Sequence, residues 1–198
     1  MKVTAIKQQA RQANRYSIFI DGKYTFSLSE TALLDSGLTS GQELTKEQIR
    51  QYKQISADDK LYNQALRYVA MRPRSQWEVE FYLVRKHASP ALIELILNKL
   101  SNIGLIDDQK FARSFVNDRR LLRPTSRRKM IAELRKKRVA SEVIEEALGR
   151  DSQDERTALQ TIIESKRRQT KYQDNLKLMQ YLARQGFSYD DIKSALNR

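Results

Sequence analysis

One histidine and three pairs of adjacent aspartates are the residues of this chain that could support catalysis or hold a metal. His87 falls at a predicted helix end beside Lys86, where a positive side chain suits the negative pole of the helix dipole. Asp58 and Asp59, Asp107 and Asp108, and Asp190 and Asp191 all fall at or just inside predicted helix starts, where capping and the dipole favour carboxylates. Neither a P-loop nor a G-x-G-x-x-G pattern occurs, and six glycines in 198 residues leave no glycine-rich phosphate cradle. Without cysteine there is no disulfide framework and no thiolate metal site. The residue types point to binding and away from turnover.

What the chain has in abundance is positive charge. Its formal net charge is +13, which makes polyanions and acidic protein grooves the leading partner classes. The cations are uneven. Lys110, Arg113, Arg119, Arg120, Arg123, Arg127, Arg128, Lys129, Arg135, Lys136, Lys137 and Arg138 are opposed within that stretch only by Asp118 and Glu133. Arg67, Arg72, Arg74, Arg85 and Lys86 precede this run, and Lys166, Arg167, Arg168 and Lys171 follow it. Bound to phosphates, such a face would lose affinity steeply with salt. No aromatic residue interleaves with the cations between Arg119 and Arg138, so bases have no stacking platform there, and no helix carries a base-reading set of side chains. A nucleic-acid backbone and an acidic protein surface both satisfy these charges.

The elements that position them are written as a repeat. Leu83–Leu97, Leu134–Leu148 and Leu182–Leu196 share a leucine, a small or hydrophobic residue five places on, a serine one or two places after it, an isoleucine ten places on and a final leucine. Arg72, Pro73 and Ser75 recur 51 residues later as Arg123, Pro124 and Ser126. Ser75 with Glu78 forms a capping box, and Ser89 with Pro90 reads as cap and first helical residue. Leu92, Ile93, Ile96 and Leu97 make a buried stripe. A polar connector, Ser165–Asp174, is expected to be mobile, and Phe111 to pack a junction between repeat units.

Ahead of the repeats, Tyr16, Ile18 and Ile20 alternate with polar neighbours, Asp21-Gly22 supplies a type I′ turn, and Tyr24, Phe26 and Leu28 alternate again, predicting a hairpin. Val3–Lys7 adds a third strand. Ser29 caps a short helix stopped by Gly37, and Thr45 with Gln48 opens a helix to about Ile55, with a separate helix from Asp58 onward. The expected fold class is mainly α: tandem three-helix bundles in an elongated, curved array behind a small α+β head. The expected divisions are 1–57 for the head and 58–106, 107–150 and 151–198 for the three-helix units. No apolar run reaches the roughly 20 residues of a membrane span, and a cysteine-free chain without a signal-peptide core is expected in the cytoplasm.

Arg72-Pro73-Arg74-Ser75-Gln76-Trp77-Glu78-Val79, then Leu83–Lys86, then Gly104-Leu105-Ile106-Asp107-Asp108-Gln109-Lys110-Phe111-Ala112, resembles the RecX family of bacterial recombination regulators. The resemblance covers about Leu61 to Arg198. It implies a non-enzymatic modulator, without a cofactor, of the RecA recombinase. Relatives lie along the groove of the RecA filament on single-stranded DNA and usually suppress its activity. His87 and Arg138 depart from the pattern, standing where the family commonly has the glycine found here as Gly186. The head is an extension that some members lack, and the third unit fits only in its last two helices.

The expected contacts are Arg72, Arg74, Arg85, Lys86, Arg113, Arg119, Arg120, Arg123, Arg127, Arg128, Lys129, Arg135, Lys136, Lys137, Arg167 and Arg168. Arg72 and Arg123 have a second reading, as braces of the turns before their prolines. The expected partners are the recombinase filament and single-stranded DNA, bound directly or through the filament, by a monomeric protein. The alternative is an autonomous, nonspecific DNA-binding protein that competes for the strand.

Overall fold

The computed structural model describes residues 1–149 and 153–197, so the expected division at 150/151 lies outside the described residues. The chain is mostly helical, with one three-stranded antiparallel sheet and ten α-helices among the described residues. It forms two compact units. The first holds residues 1–71 and 80–100, and the second holds the described residues of 72–79 and 101–198.

In the first unit, β1 (Val3–Gln9), β2 (Gln12–Ile20) and β3 (Lys23–Ser29) pair in that order. Asp21 and Gly22 take φ of 48° and 79°, the left-handed pair that a type I′ turn requires. Val3, Ile18, Ile20, Phe26 and Leu28 join Leu38, Leu44 and Ile49 in one core. Simple alternation puts Tyr24 with them, but the register corrects this. Ile18 pairs with Phe26 and Phe19 with Tyr24, leaving Thr25 as the extra residue of a bulge. Tyr24 is thereby turned to the outer face, 54% exposed, with its ring edge-on to Phe19 at 6.1 Å. Helix α1 (Glu30–Ser36) is capped by Ser29 and closed by Gly37.

Helix α2 (Lys46–Ala70) starts on the expected Thr45/Gln48 capping box but does not break near Ile55. It runs unbroken through the expected division at 57/58, because Ser56 and Asp59 are anchors and not helix ends. The Ser56 hydroxyl donates to the Ser27 carbonyl at 2.5 Å. Asp59 accepts from Arg15 Nη1 at 2.8 Å, from the Ser29 N–H at 3.0 Å and from the Ser29 hydroxyl at 2.6 Å. Arg15, itself buried, also donates to the Ser27 hydroxyl and carbonyl at 2.9 Å each. A buried guanidinium left unpaired would cost several kcal/mol, so this network fixes β2, β3 and α2 as one body. Tyr68 stacks on Tyr82 at 4.3 Å. In α4 (Pro90–Asn102), capped by Ser89, Ile96, Leu97 and Leu100 are buried, while Leu92 and Ile93 are only half-buried.

The second unit includes the start of α3 (Gln76–Arg85). Ser75 and Glu78 form the expected reciprocal box, both bonds 3.2 Å, and the Gln76 N–H donates to Asp108 at 2.8 Å. Helices α5 (Asp108–Leu122), α6 (Arg127–Lys136) and α7 (Ser141–Leu148) follow. They bury Phe111, Ala112, Val116, Met130, Leu134, Val139, Ile144 and Leu148, so Phe111 belongs to this repeat's own core and not to a junction between repeats. Asp107 caps α5 through the Gln109 and Lys110 N–H groups. The serine of the second repeat, Ser141, is the first helical residue of α7, and Ala140 occupies the cap without a side-chain bond. Helices α8 (Gln153–Arg167), α9 (Asn175–Arg184) and α10 (Tyr189–Leu196) bury Ala158, Leu159, Leu178, Leu182, Phe187 and Ile192.

The connector after α8 is ordered by its own contacts. A 3₁₀ turn, Thr170–Tyr172, is held by Arg167, whose guanidinium donates to the carbonyls of Tyr172 and Gln173 and to the Asn175 side chain. Lys166 Nζ lies 5.5 Å and 4.9 Å from the Tyr172 and Tyr181 rings.

Three helices end in the same way. The N–H groups of Ala88, Val139 and Phe187 reach back to the carbonyls of Leu83, Leu134 and Leu182 at 3.2, 3.3 and 3.3 Å. The preceding residues, His87, Arg138 and Gly186, have φ of 59°, 55° and 95°. This is the Schellman exit, which glycine makes cheaply and other residues at about 1–2 kcal/mol. Gly186 has a second requirement: a Cβ there would lie 2.7 Å from Ser126 Oγ, the atom that donates to the Gln185 carbonyl at 2.6 Å.

Two outcomes follow for urea unfolding. Gly186→Ala should cost about 1–3 kcal/mol, from strain at positive φ plus the clash. His87→Gly should stabilise by up to about 1 kcal/mol, whereas Arg138→Gly should change little because it also removes the contact of Arg138 with the Trp77 ring at 5.8 Å.

A third outcome concerns Glu78, whose carboxylate receives Arg72 Nη2 and Lys137 Nζ, each at 2.8 Å, besides the Ser75 N–H. Burial pushes its pKa up, but the bonds from Arg72, Lys137 and Ser75 outweigh it and lower the pKa from 4.5 to about 2. A folded pKa below the unfolded one gives stability that is present above about 4.5 and lost as the pH falls towards 2. Glu78→Gln should therefore be less stable than wild type at pH 7, by an amount on the order of 2–3 kcal/mol, and the gap should close by pH 2 in acid-titrated unfolding. A gap independent of pH would contradict this.

Candidate partner-binding surface

Helix α6 is the centre of the basic run, and its two faces are set by its packing. Met130 and Leu134 point into the core, so the side chains at 128, 129, 132, 135 and 136 occupy one exposed arc. Four of those five are Arg128, Lys129, Arg135 and Lys136. Among the described residues, Arg128, Arg135 and Lys136 make no side-chain hydrogen bond or ion pair, and Lys129 Nζ donates only to the neutral Gln185 amide, at 2.8 Å. Arg123, exposed at the end of α5, is likewise unpaired among the described residues. Its exposed side chain therefore braces no turn.

Apart from Arg168, the other expected contacts of this unit are engaged internally. Arg72 bonds Glu78 and donates to the Pro73 carbonyl at 2.8 Å, bracing the turn before that proline. Arg74 approaches Glu78 at 4.0 Å, and Lys137 lies on Glu78 and 5.7 Å from the Phe111 ring. Arg119 pairs with Glu133 at 2.7 Å over the Phe115 ring. Arg120 pairs with Asp154 at 2.7 Å and donates to the Leu148 carbonyl, while its buried Nε has no partner among the described residues. Arg127 pairs with Glu145 at 2.5 Å and donates to the Gly149 carbonyl at 2.6 Å. Arg113 meets Glu146 at 2.5 Å, but both are more than half exposed, so that pair contributes less than about 1 kcal/mol. Arg167 is spent on its connector, and Arg168 is exposed. In the first unit Arg85 and Lys86 are exposed, with Lys86 Nζ 5.7 Å from the Tyr82 ring.

The carboxylates beside the run divide by environment. Asp107 is held below its ordinary pKa, chiefly by the Lys110 N–H. Burial raises Asp108 in spite of the Gln76 N–H, and raises Glu155 in spite of the Arg127 N–H, which donates to it at 2.6 Å. These acids serve helix starts. Among the described residues no three His, Asp or Glu side chains gather as metal ligands, and no helix is long and apolar enough to cross a membrane.

One feature escaped the sequence reading. Leu121 and Leu122, 81% and 75% exposed, sit between Arg120 and Arg123 at the end of α5. They fall off the buried stripe of Ala112 and Val116, a departure from period that the sequence does contain.

Comparison with known proteins accounts for nearly the whole chain. The profile of the regulatory protein RecX N-terminal domain matches residues 1–45, and those of the first, second and third RecX three-helix domains match 62–100, 107–148 and 154–196. A regulatory protein RecX of Halalkalibacterium halodurans is 34% identical over 92% of this chain and 71% of its own length. That of Bacillus subtilis is 28% identical over 99% of the chain and 76% of its length, and that of Lactobacillus johnsonii 34% identical over 74% and 54%. This chain thus spans about half of the last relative's length. A crystal structure of a regulatory protein RecX covers all of the chain with a TM-score of 0.76 at 25% identity, and RecX from Lactobacillus salivarius covers 71% with 0.61 at 28%. From its head to its third repeat, the chain belongs to the RecX family of regulatory proteins.

Proposed function

We propose that this protein is a non-enzymatic regulator of homologous recombination that binds the RecA filament and restrains its activity. What supports the reading, beyond family membership, is the exposed arc of α6. While Glu78, Glu133, Glu145 and Asp154 each hold a cation, Arg128, Lys129, Arg135 and Lys136 still face solvent with no ion pair among the described residues. Unneutralised charges on a rigid helix attract a polyanionic or acidic surface at little reorganisation cost. The contact set is narrower than the sixteen expected from the sequence: the α6 arc, with Arg123 beside it and the exposed Leu121 and Leu122 as an apolar rim. Regulation then acts by differential affinity: whichever filament state is bound more tightly gains population. No reaction is catalysed, and the site of action is the cytoplasm.

The second reading, a nonspecific DNA binder, draws on the same arc. Arg128→Glu with Arg135→Glu separates the two, because neither side chain holds another residue in place. Under the regulator reading this double variant loses filament binding by at least tenfold and no longer slows the recombinase's ATP turnover, even with the strand fully covered by recombinase. If the variant loses bare-strand binding while restraint of the covered filament is unchanged, the arc belongs to a DNA binder. Folding is checked by an unchanged unfolding midpoint.

A further inference from the structure

The head has a face that neither the family reading nor the α6 arc uses. Between the outer face of the sheet and the C-terminal half of α2 runs a groove of about 530 Å³. Buried Arg15 and Ser27 form part of its lining, and the arginine there is already neutralised by Asp59 at 2.8 Å. Around them stand the amides of Gln12, Asn14 and Gln64 and the cations Lys60 and Arg67. Among the described residues none of these five side chains has a hydrogen-bond or ion-pair partner. Tyr24, displaced outward by the bulge at Thr25, also lines the groove, and its ring is steadied by Phe19, over which Lys7 Nζ sits at 5.5 Å.

We infer that this groove binds a single strand of nucleic acid, with a base on the Tyr24 ring, base edges at the Gln12, Asn14 and Gln64 amides, and phosphates at Lys60 and Arg67. Each group answers one part of such a ligand. A side-chain amide both donates and accepts, as a base edge does. An exposed aromatic ring stacks on a base only if that base is unpaired, which selects a single strand over a duplex. Lys60 and Arg67 lie seven residues apart on one helix, about 10 Å along its axis, far enough to serve different phosphates. An acidic peptide fits less well: its charges would meet only two free cations, and the ring and amides would have no part. The inference holds whether or not the α6 arc binds a filament, because all of its residues lie in the first unit.

The test uses the full chain and a short labelled oligodeoxythymidine carrying one 5-iodouracil. Anisotropy should show Tyr24→Ala binding about tenfold more weakly and Tyr24→Phe near wild type, since the ring and not the hydroxyl does the stacking. Lys60→Gln with Arg67→Gln should lower the salt slope of log K by about 1.4, two phosphates at about 0.7 each. Photocrosslinking should attach the strand to Tyr24 or Phe19, also in the Arg128→Glu, Arg135→Glu variant. All these positions are at or near the surface, and circular dichroism checks that each variant folds. Wild-type affinity in both head variants, crosslinks confined to residues 119–138, or a duplex bound as tightly as the single strand would each overturn the inference. So would a strand displaced only by acidic peptide with Tyr24→Ala unaffected, which would make the groove a protein site.

Discussion

The left-handed exit of three helices is the constraint on which the repeats depend. At His87, Arg138 and Gly186 the backbone reverses within one residue, and the next side chain returns beside the helix it has just left. That reversal allows a short third helix to follow at once, capped within two residues, and lets helices of eight to thirteen residues share small cores. Helices so short are marginal alone in water, so the turn does as much for them as their propensity. Two of the three exits bear the strain of a side chain. At the third a side chain would cost more, because a Cβ there would lie 2.7 Å from Ser126 Oγ and one of the two would have to shift.

Electrostatics then sorts a large surplus of cations into two kinds. Glu78, Glu133, Glu145 and Asp154 each hold an arginine or lysine against the fold, and the partly buried ones do so with the most effect. Cations without such a partner collect where packing leaves a helix face outward, on α6 above all. Charge density along the sequence therefore overstates the surface available to a partner. The family's regulatory role and this narrowed arc bear on the same question from independent sides.

Much of the fold was legible because its signals are local. The hairpin turn at Asp21-Gly22, the caps at Ser29, Thr45, Ser75, Ser89, Asp107 and Ser188, and the buried leucines of the repeat all follow from neighbours a few residues apart. What was not legible depends on residues far apart in the chain. Asp59 looked like a cap because its true partner, Arg15, lies 44 positions away. Tyr24 left the core face through one extra residue, a slip that alternation cannot register. Of the expected contacts, Lys137 looks like Lys136 in sequence and only its bond to Glu78 separates them, while the bracing role that the sequence offers equally to Arg72 and Arg123 falls to Arg72 alone. The groove of the head was illegible for the same reason, since residues 9–15 and 60–67 meet only in the folded unit.

The central claim is that a protein filament, and not its DNA alone, is the recognised partner. Its most direct test is to titrate the wild-type chain against recombinase filaments and against the bare strand, side by side, through a salt series around physiological ionic strength. Counterion release makes any purely phosphate-based affinity fall linearly in log K with log salt. Filament binding that survives at salt where bare-strand binding has gone is the expected result. Two affinities falling together with the same slope would contradict it, and would leave a protein that recognises nothing beyond phosphate charge.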